Sequence, residues 1–193
     1  MTTDPLSWVS CDGGPHVLLP AKACSAWSGT QASRDPRRGS TSFRWSGDPS
    51  APASDYDAAC DVAGLAGLVH TSAGAALVLG DEVPMSTWVP HDGFCGGVLV
   101  VPMTWPDARH DGPTLRSAVA SVAPDEFLPT GLVLPNSGGR FLLCAAADAG
   151  PDWYYPTLTI AVPPAVYEVV SAEVHIQGFW LRLHALRSAR QAE

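Results

Sequence analysis

Positive charge is scarce in this chain. Its 193 residues include 11 Lys and Arg against 19 Asp and Glu, a net charge of −8, and Lys22 is the only lysine. From Trp45 to Ala108 there is no Lys or Arg. A protein that grips the phosphate backbone displaces counterions with basic side chains, so direct binding of nucleic acid is not expected. Long apolar runs are missing too: none approaches the roughly 20 residues of a membrane-spanning helix. Residues 1–20 carry neither a basic segment nor a continuous apolar segment of the kind that directs secretion. The cytoplasm is therefore the expected compartment, without membrane association. The five cysteines, Cys11, Cys24, Cys60, Cys95 and Cys144, are odd in number and widely spaced, with no C-x-x-C pair. They read as buried free thiols of a reducing compartment.

Catalytic signatures are absent as well. No serine sits in a G-x-S-x-G elbow. His16, His70, His91, His110, His175 and His184 form no H-x-H or H-E-x-x-H ligand pair. Gly138-Gly139 lacks the Lys and Ser or Thr of a phosphate-binding loop. Asp55-x-Asp57 with Asp61 lacks the glycine and distal glutamate of a calcium loop. Neither a metal nor a cofactor is expected.

What is present is apolar sequence cut into short pieces. Apolar residues make up 46% of the chain, enough for a substantial core, while 18 Gly and 18 Pro require many turns. Apolar runs predict strands over 17–19, 65–69, 75–79, 98–101, 132–134, 140–144, 157–162, 166–174 and 179–186. Leu77, Val78 and Leu79 read as buried on both faces, ended by a turn at Gly80 and Pro84. Along 179–186, Phe179, Leu181, Leu183 and Ala185 alternate with Trp180, Arg182 and His184, which predicts one apolar face and one solvated face. Leu115, Ala118, Val119 and Val122 share a face of a helix over 114–122. Ser54 or Asp55 caps a short helix over 55–62, with Tyr56, Ala59 and Cys60 on its inner face and the two flanking acids toward solvent. Residues 30–54 form a long loop rich in Ser, Pro, Arg and Gly. The fold expected is α+β, predominantly antiparallel β with one or two short helices, in a single domain over 1–193. An echo of Gly13-Gly14 with Val-Leu-Leu in Gly138-Gly139 with Phe-Leu-Leu also allows two similar packed halves.

Charge and aromatics point to a partner surface. Asp48, Asp55, Asp57, Asp61, Asp81, Glu82, Asp92 and Asp107 fall in the stretch without Lys or Arg, just after the cluster Arg34, Arg37, Arg38 and Arg44. A surface of one sign steers a partner of the other. Trp45 and Trp88 lie beside loops in this stretch, where an exposed ring would anchor an interface. The residues expected to bind a partner are thus Asp55, Asp57, Asp61, Asp81, Glu82, Trp45 and Trp88. Facing a nuclease, such acids would mimic substrate phosphates. The competing reading is a small hydrolase or other small-molecule enzyme. It would use the Asp81–Glu82 turn, or His91 with Cys95 as base and nucleophile.

Several segments occur in a telling order: Ser10-Cys-Asp-Gly-Gly-Pro-His-Val-Leu-Leu-Pro20, Trp27-Ser-Gly29, Ser54-Asp-Tyr-Asp-Ala-Ala-Cys60, Gly80-Asp-Glu82, then Gly96-Gly97 opening a strand. This order resembles the immunity protein 21 family of bacterial polymorphic toxin systems, and the resemblance spans about residues 8–105. It implies a non-enzymatic protein that binds a cognate toxin protein and protects the cell from it. One departure stands out: where a basic or aromatic residue is expected late in the Gly-Gly strand, the chain reads Val98-Leu-Val-Val-Pro102.

Overall fold

Strands that are apolar on both faces need cover on both sides, and this chain supplies it with two stacked sheets and an outer layer on each. The computed structural model describes residues 5–80, 84–104, 112–176 and 178–189. The first sheet is antiparallel, in the order β1 (Trp8–Ser10), β5 (Met85–Val89), β6 (Val98–Thr104), β11 (Phe179–Ser188), β10 (Ala165–Ile176), β7 (Leu128–Asn136). The second, also antiparallel, runs β3 (Ala66–Thr71), β4 (Gly74–Leu79), β2 (His16–Pro20), β8 (Arg140–Ala145), β9 (Leu158–Ala161). The architecture is α+β and mostly β, as expected.

Period-2 alternation sorts the apolar residues into three clusters. Between the sheets lie Leu18, Leu77, Leu79, Phe141 and Leu143 from the second sheet, against Val9, Leu99, Val101, Leu134, Tyr167, Val169 and Leu186 from the first. The outer face of the first sheet presents Val98, Val100, Val170, Leu181 and Leu183 to α2 (Gly112–Ala120), which buries Leu115 and Val119 there. The outer face of the second sheet presents Val17, Leu19, Ala76 and Val78 to Trp27, and to Tyr56 and Ala59 of α1 (Asp55–Cys60).

Three expectations change. The mixed face of β11 is not solvated: Arg182 is 5% exposed and His184 1%, on the side that turns toward the second sheet. Register explains it, because β10 sets Ser171 opposite His184 and Glu173 opposite Arg182. Ser171 Oγ lies 2.7 Å from His184 Nδ1, and Arg182 pairs with Glu173 at 3.1 Å. Second, β5 occupies a stretch with no obvious apolar alternation, and its Ser86 and Thr87 are fully buried. Third, the two glycine pairs that echo one another precede β2 and β8, which are neighbours in one sheet with Val17 opposite Cys144. Each sheet draws strands from both ends of the sequence, so any internal similarity does not divide the molecule into successive halves.

Candidate functional site

The site grows from the short helix α1 and the irregular loop before it. Ser54 caps the helix: its Oγ accepts from the Asp57 amide at 2.9 Å, and Asp57 Oδ2 accepts from the Ser54 amide at 2.8 Å. This reciprocal pair satisfies two of the orphan donors of a helix start. Asp57 Oδ1 then accepts from the amide of Trp45 at 2.7 Å. Asp61, at the other end of the helix, takes the amides of Ser42 (2.5 Å) and Phe43 (2.9 Å) and the Ser42 hydroxyl. Asp55 accepts from the Ser28 amide at 2.8 Å, the hydroxyls of Ser28 and Ser33, and Arg38 Nη2 at 2.6 Å. Each acid therefore holds a different piece of the loop.

This overturns the expectation that the two flanking acids face solvent. Asp55 is fully buried and Asp57 is 3% exposed. Nor do the acids and the arginines form separate patches, since the loop folds back and brings Arg38 onto Asp55. Both carboxylates are thereby unavailable as phosphate mimics. Burial alone would raise the Asp57 carboxyl, but amides from Ser54 and Trp45, the Ser54 hydroxyl and the nearby Arg44 hold it below the usual carboxylate range. Asp61 is depressed in the same way, with burial outweighed by Ser42, Phe43 and Arg44.

The result is an aromatic corner. Tyr56 is the floor, 7% exposed. Trp45 stands on it at 90° with centroids 5.5 Å apart, and Phe43 at 75° and 6.1 Å. Trp45 itself is 61% exposed. Opposite lies the loop before β2, where Gly14 has φ +92° and a Cβ would fall 2.5 Å from Tyr56 Oη, so only glycine fits. The Tyr56 amide donates to Gly29 O at 3.0 Å, and a Cβ on Gly29 would meet Ala147 O at 2.4 Å. Between the corner and this loop opens a cleft of about 830 Å³, lined by Asp12, Gly13, Gly14, Phe43, Trp45, Tyr56, Cys60 and Tyr155, among others. That volume lies within the usual range of ligand and anchor pockets.

A buried chain of polar groups ties the cleft loop to the first sheet. His16 is fully buried, with Nδ1 2.7 Å from Ser86 Oγ on β5 and Nε2 3.2 Å from Cys11 Sγ. The Cys11 thiol donates to Gly13 O at 3.2 Å. Burial pushes the His16 imidazole down to about 4, so it is neutral near pH 7.

The other expected residues fall elsewhere. Trp88, expected as an exposed anchor, is half-buried on β5 and packs against the core between the sheets. Asp81 and Glu82 lie outside the described residues. No hydrogen bond joins His91 to Cys95 among the described residues. His91 Nε2 faces Val122 O at 3.1 Å, its Nδ1 accepts from the Gly93 amide, and its ring packs on Phe94 and Phe127. No group of three His, Cys, Asp or Glu stands ready to hold a metal ion among the described residues. No described helix is long and apolar enough to cross a membrane. Asp12 and Tyr155, joined by a 2.9 Å hydrogen bond, were not foreseen, because 143 residues separate them and no local pattern marks either.

Three of the segments that carry the family resemblance thus meet in one place: Cys11-Asp-Gly-Gly14, Trp27-Ser-Gly29 and Ser54-Asp-Tyr-Asp57. The family model for immunity protein 21 matches residues 7–178. The chain belongs to the immunity protein 21 family. Membership implies an immunity protein with a toxin partner in general, and favours a protein that binds over one that catalyses. No curated protein and no solved structure matches the chain significantly.

Proposed function

We propose that this immunity protein acts in the cytoplasm by binding its cognate toxin domain directly. It occludes the toxin through the face that carries Trp45, Phe43 and the cleft. The observation that supports this most is Trp45: a large ring, 61% exposed, packed edge-on against Tyr56, on a backbone whose amide is held by a buried carboxylate. Exposed aromatics fixed in advance make interface anchors, since little side-chain entropy remains to be lost on binding. Asp55, Asp57 and Asp61 serve the interface indirectly, by shaping the loop that presents the rings. The overall charge of −8, with Asp81 and Glu82 among its contributors, steers a basic partner toward the protein. No chemical step is needed.

Co-expression with the toxin encoded beside this gene tests the proposal. Cell survival together with a stable co-purifying complex is the expected outcome. Survival without a complex contradicts sequestration and points to chemistry on the toxin or protection of its target. Cell death contradicts immunity toward that toxin.

A further inference from the structure

Among the described residues, Asp12 supplies the only charge in the lining of the cleft, and it is negative. The residue is exposed at the rim, and Tyr155 Oη–H donates to its Oδ2, which leaves Oδ1 for an incoming donor. The same cleft is lined by Trp45, 61% exposed, and by Tyr56 beneath it, the two rings in edge-on contact with 5.5 Å between centroids. Both walls are built alike. Behind Trp45 stands buried Asp57, holding the Trp45 amide. Behind Tyr155 stands Asp148, 8% exposed, whose Oδ2 takes the amides of Tyr154 and Tyr155 at 3.1 and 2.9 Å. The loop's Arg44 donates to the carbonyls of Thr41 and Phe43 and does not line the cleft.

The geometry points to a cationic occupant: an arginine side chain of the toxin seated between the Trp45–Tyr56 corner and the Asp12 carboxylate. This assignment rests on the reading of the protein as a toxin binder. A cation over the face of a tryptophan or tyrosine is attracted by the ring quadrupole. A guanidinium does this better than an ammonium, because it is planar, weakly hydrated and able to stack while its edge bonds a carboxylate. An aliphatic side chain would fill the aromatic corner equally well but would shield Asp12 Oδ1 from water without giving it a donor.

The test needs no toxin. The full chain, labelled with ¹⁵N, is titrated with N-acetyl-arginine methylamide and, separately, with the uncharged isostere N-acetyl-citrulline methylamide. The arginine probe is expected to shift the Trp45 indole and the Gly13 and Gly14 amides saturably in the millimolar range. Citrulline should bind at least about fivefold more weakly, and Asp12→Asn should weaken the arginine probe by a similar factor. Because Asp12 is exposed, that variant is expected to fold normally, and Trp45→Ala gives a second removal on the opposite wall. Equal shifts with both probes, or shifts that bypass these residues, would overturn the assignment. If the toxin complex forms while the arginine probe misses the cleft, the cationic occupant is wrong and the toxin-binding reading stands. If the probe binds the cleft but the toxin still binds Asp12→Asn with unchanged affinity, the assignment to a toxin arginine is wrong.

Discussion

The two sheets are covered in opposite ways. Over the first, α2 lays Leu115, Ala118 and Val119 onto an apolar face, and the contact is hydrophobic. Over the second, the six-residue α1 and an irregular loop are held down by Asp55, Asp57 and Asp61, each accepting several hydrogen bonds. A helix that buries an apolar stripe completes a core and leaves a polar outer surface. A loop fixed by buried carboxylates can instead hold large rings outside the core, because its position does not depend on burying them. On the proposed function, that difference makes one cover scaffold and the other the presenting face.

Acid separates the layers most strongly. His16 and His184 are buried in the layer between the sheets, with imidazoles pushed down by burial to about 4 and about 3, Arg182 adding to the shift at His184. The folded protein therefore holds fewer protons than the unfolded chain between those values and about 6.5. Stability is full above about pH 6.5 and falls as pH drops toward 4, by about 1.4 kcal/mol per pH unit for each histidine while both states differ by one proton. Asp57 and Asp61, depressed in the fold, contribute stability above the normal carboxylate pKa. They lose it only as pH falls further, through their folded values. Urea unfolding at stepped pH should show the histidine limb first, and His184→Leu should flatten it, since its buried Nε2 has no partner among the described residues. An unchanged slope in that variant would remove His184 from the account.

Asp55→Ala is the largest single change expected in the loop cover. It strands Arg38, whose side chain is 13% exposed, together with two serine hydroxyls and the Ser28 amide. A loss of about 3–5 kcal/mol is expected, as for breaking a buried ion pair from one side. Leu115→Ala on the other cover should cost about 2–5 kcal/mol by opening a cavity, yet leave the Trp45 indole resonance where it is. If Leu115→Ala moved that resonance as far as Asp55→Ala does, the two covers would not be independent. Smallest of the set is Ser54→Ala, a lost helix cap worth about 1 kcal/mol in thermal unfolding.

The fold was legible wherever the apolar pattern was dense. The runs at Leu77–Leu79 and Val98–Val101 and the helical face of Leu115, Ala118 and Val119 lie where expected, while Val122, expected on the same face, is buried just past the helix end. β5 was not legible, because its Met-Ser-Thr-Trp-Val buries hydroxyls as fully as aliphatics. The buried face of β11 was misread for a related reason: Arg182 and His184 look solvated until β10 brings Glu173 and Ser171 across in register. At the site, Trp45 was identifiable as an exposed ring beside a loop. The role of the acids was not, since their donors, the Ser54 amide apart, lie 12 to 27 residues upstream across a segment without periodicity. A carboxylate that organises a loop and one that faces a partner look the same in sequence. Only the position of Ser28, Ser33, Arg38 and the Trp45 amide distinguishes them.

Comparing two exposed apolar residues tests whether the loop-covered face meets the toxin. Trp45 lies on that face, and Leu128, 69% exposed, lies at the start of β7 on the edge of the first sheet. Affinity for the toxin domain would be measured by calorimetry for Trp45→Ala and Leu128→Ala. Trp45→Ala is expected to weaken binding by at least about 30-fold, a hot-spot loss of roughly 2 kcal/mol, while Leu128→Ala stays near the parent affinity. Loss of binding on Leu128→Ala with Trp45→Ala unaffected would contradict the proposal and move the interface to the sheet edge.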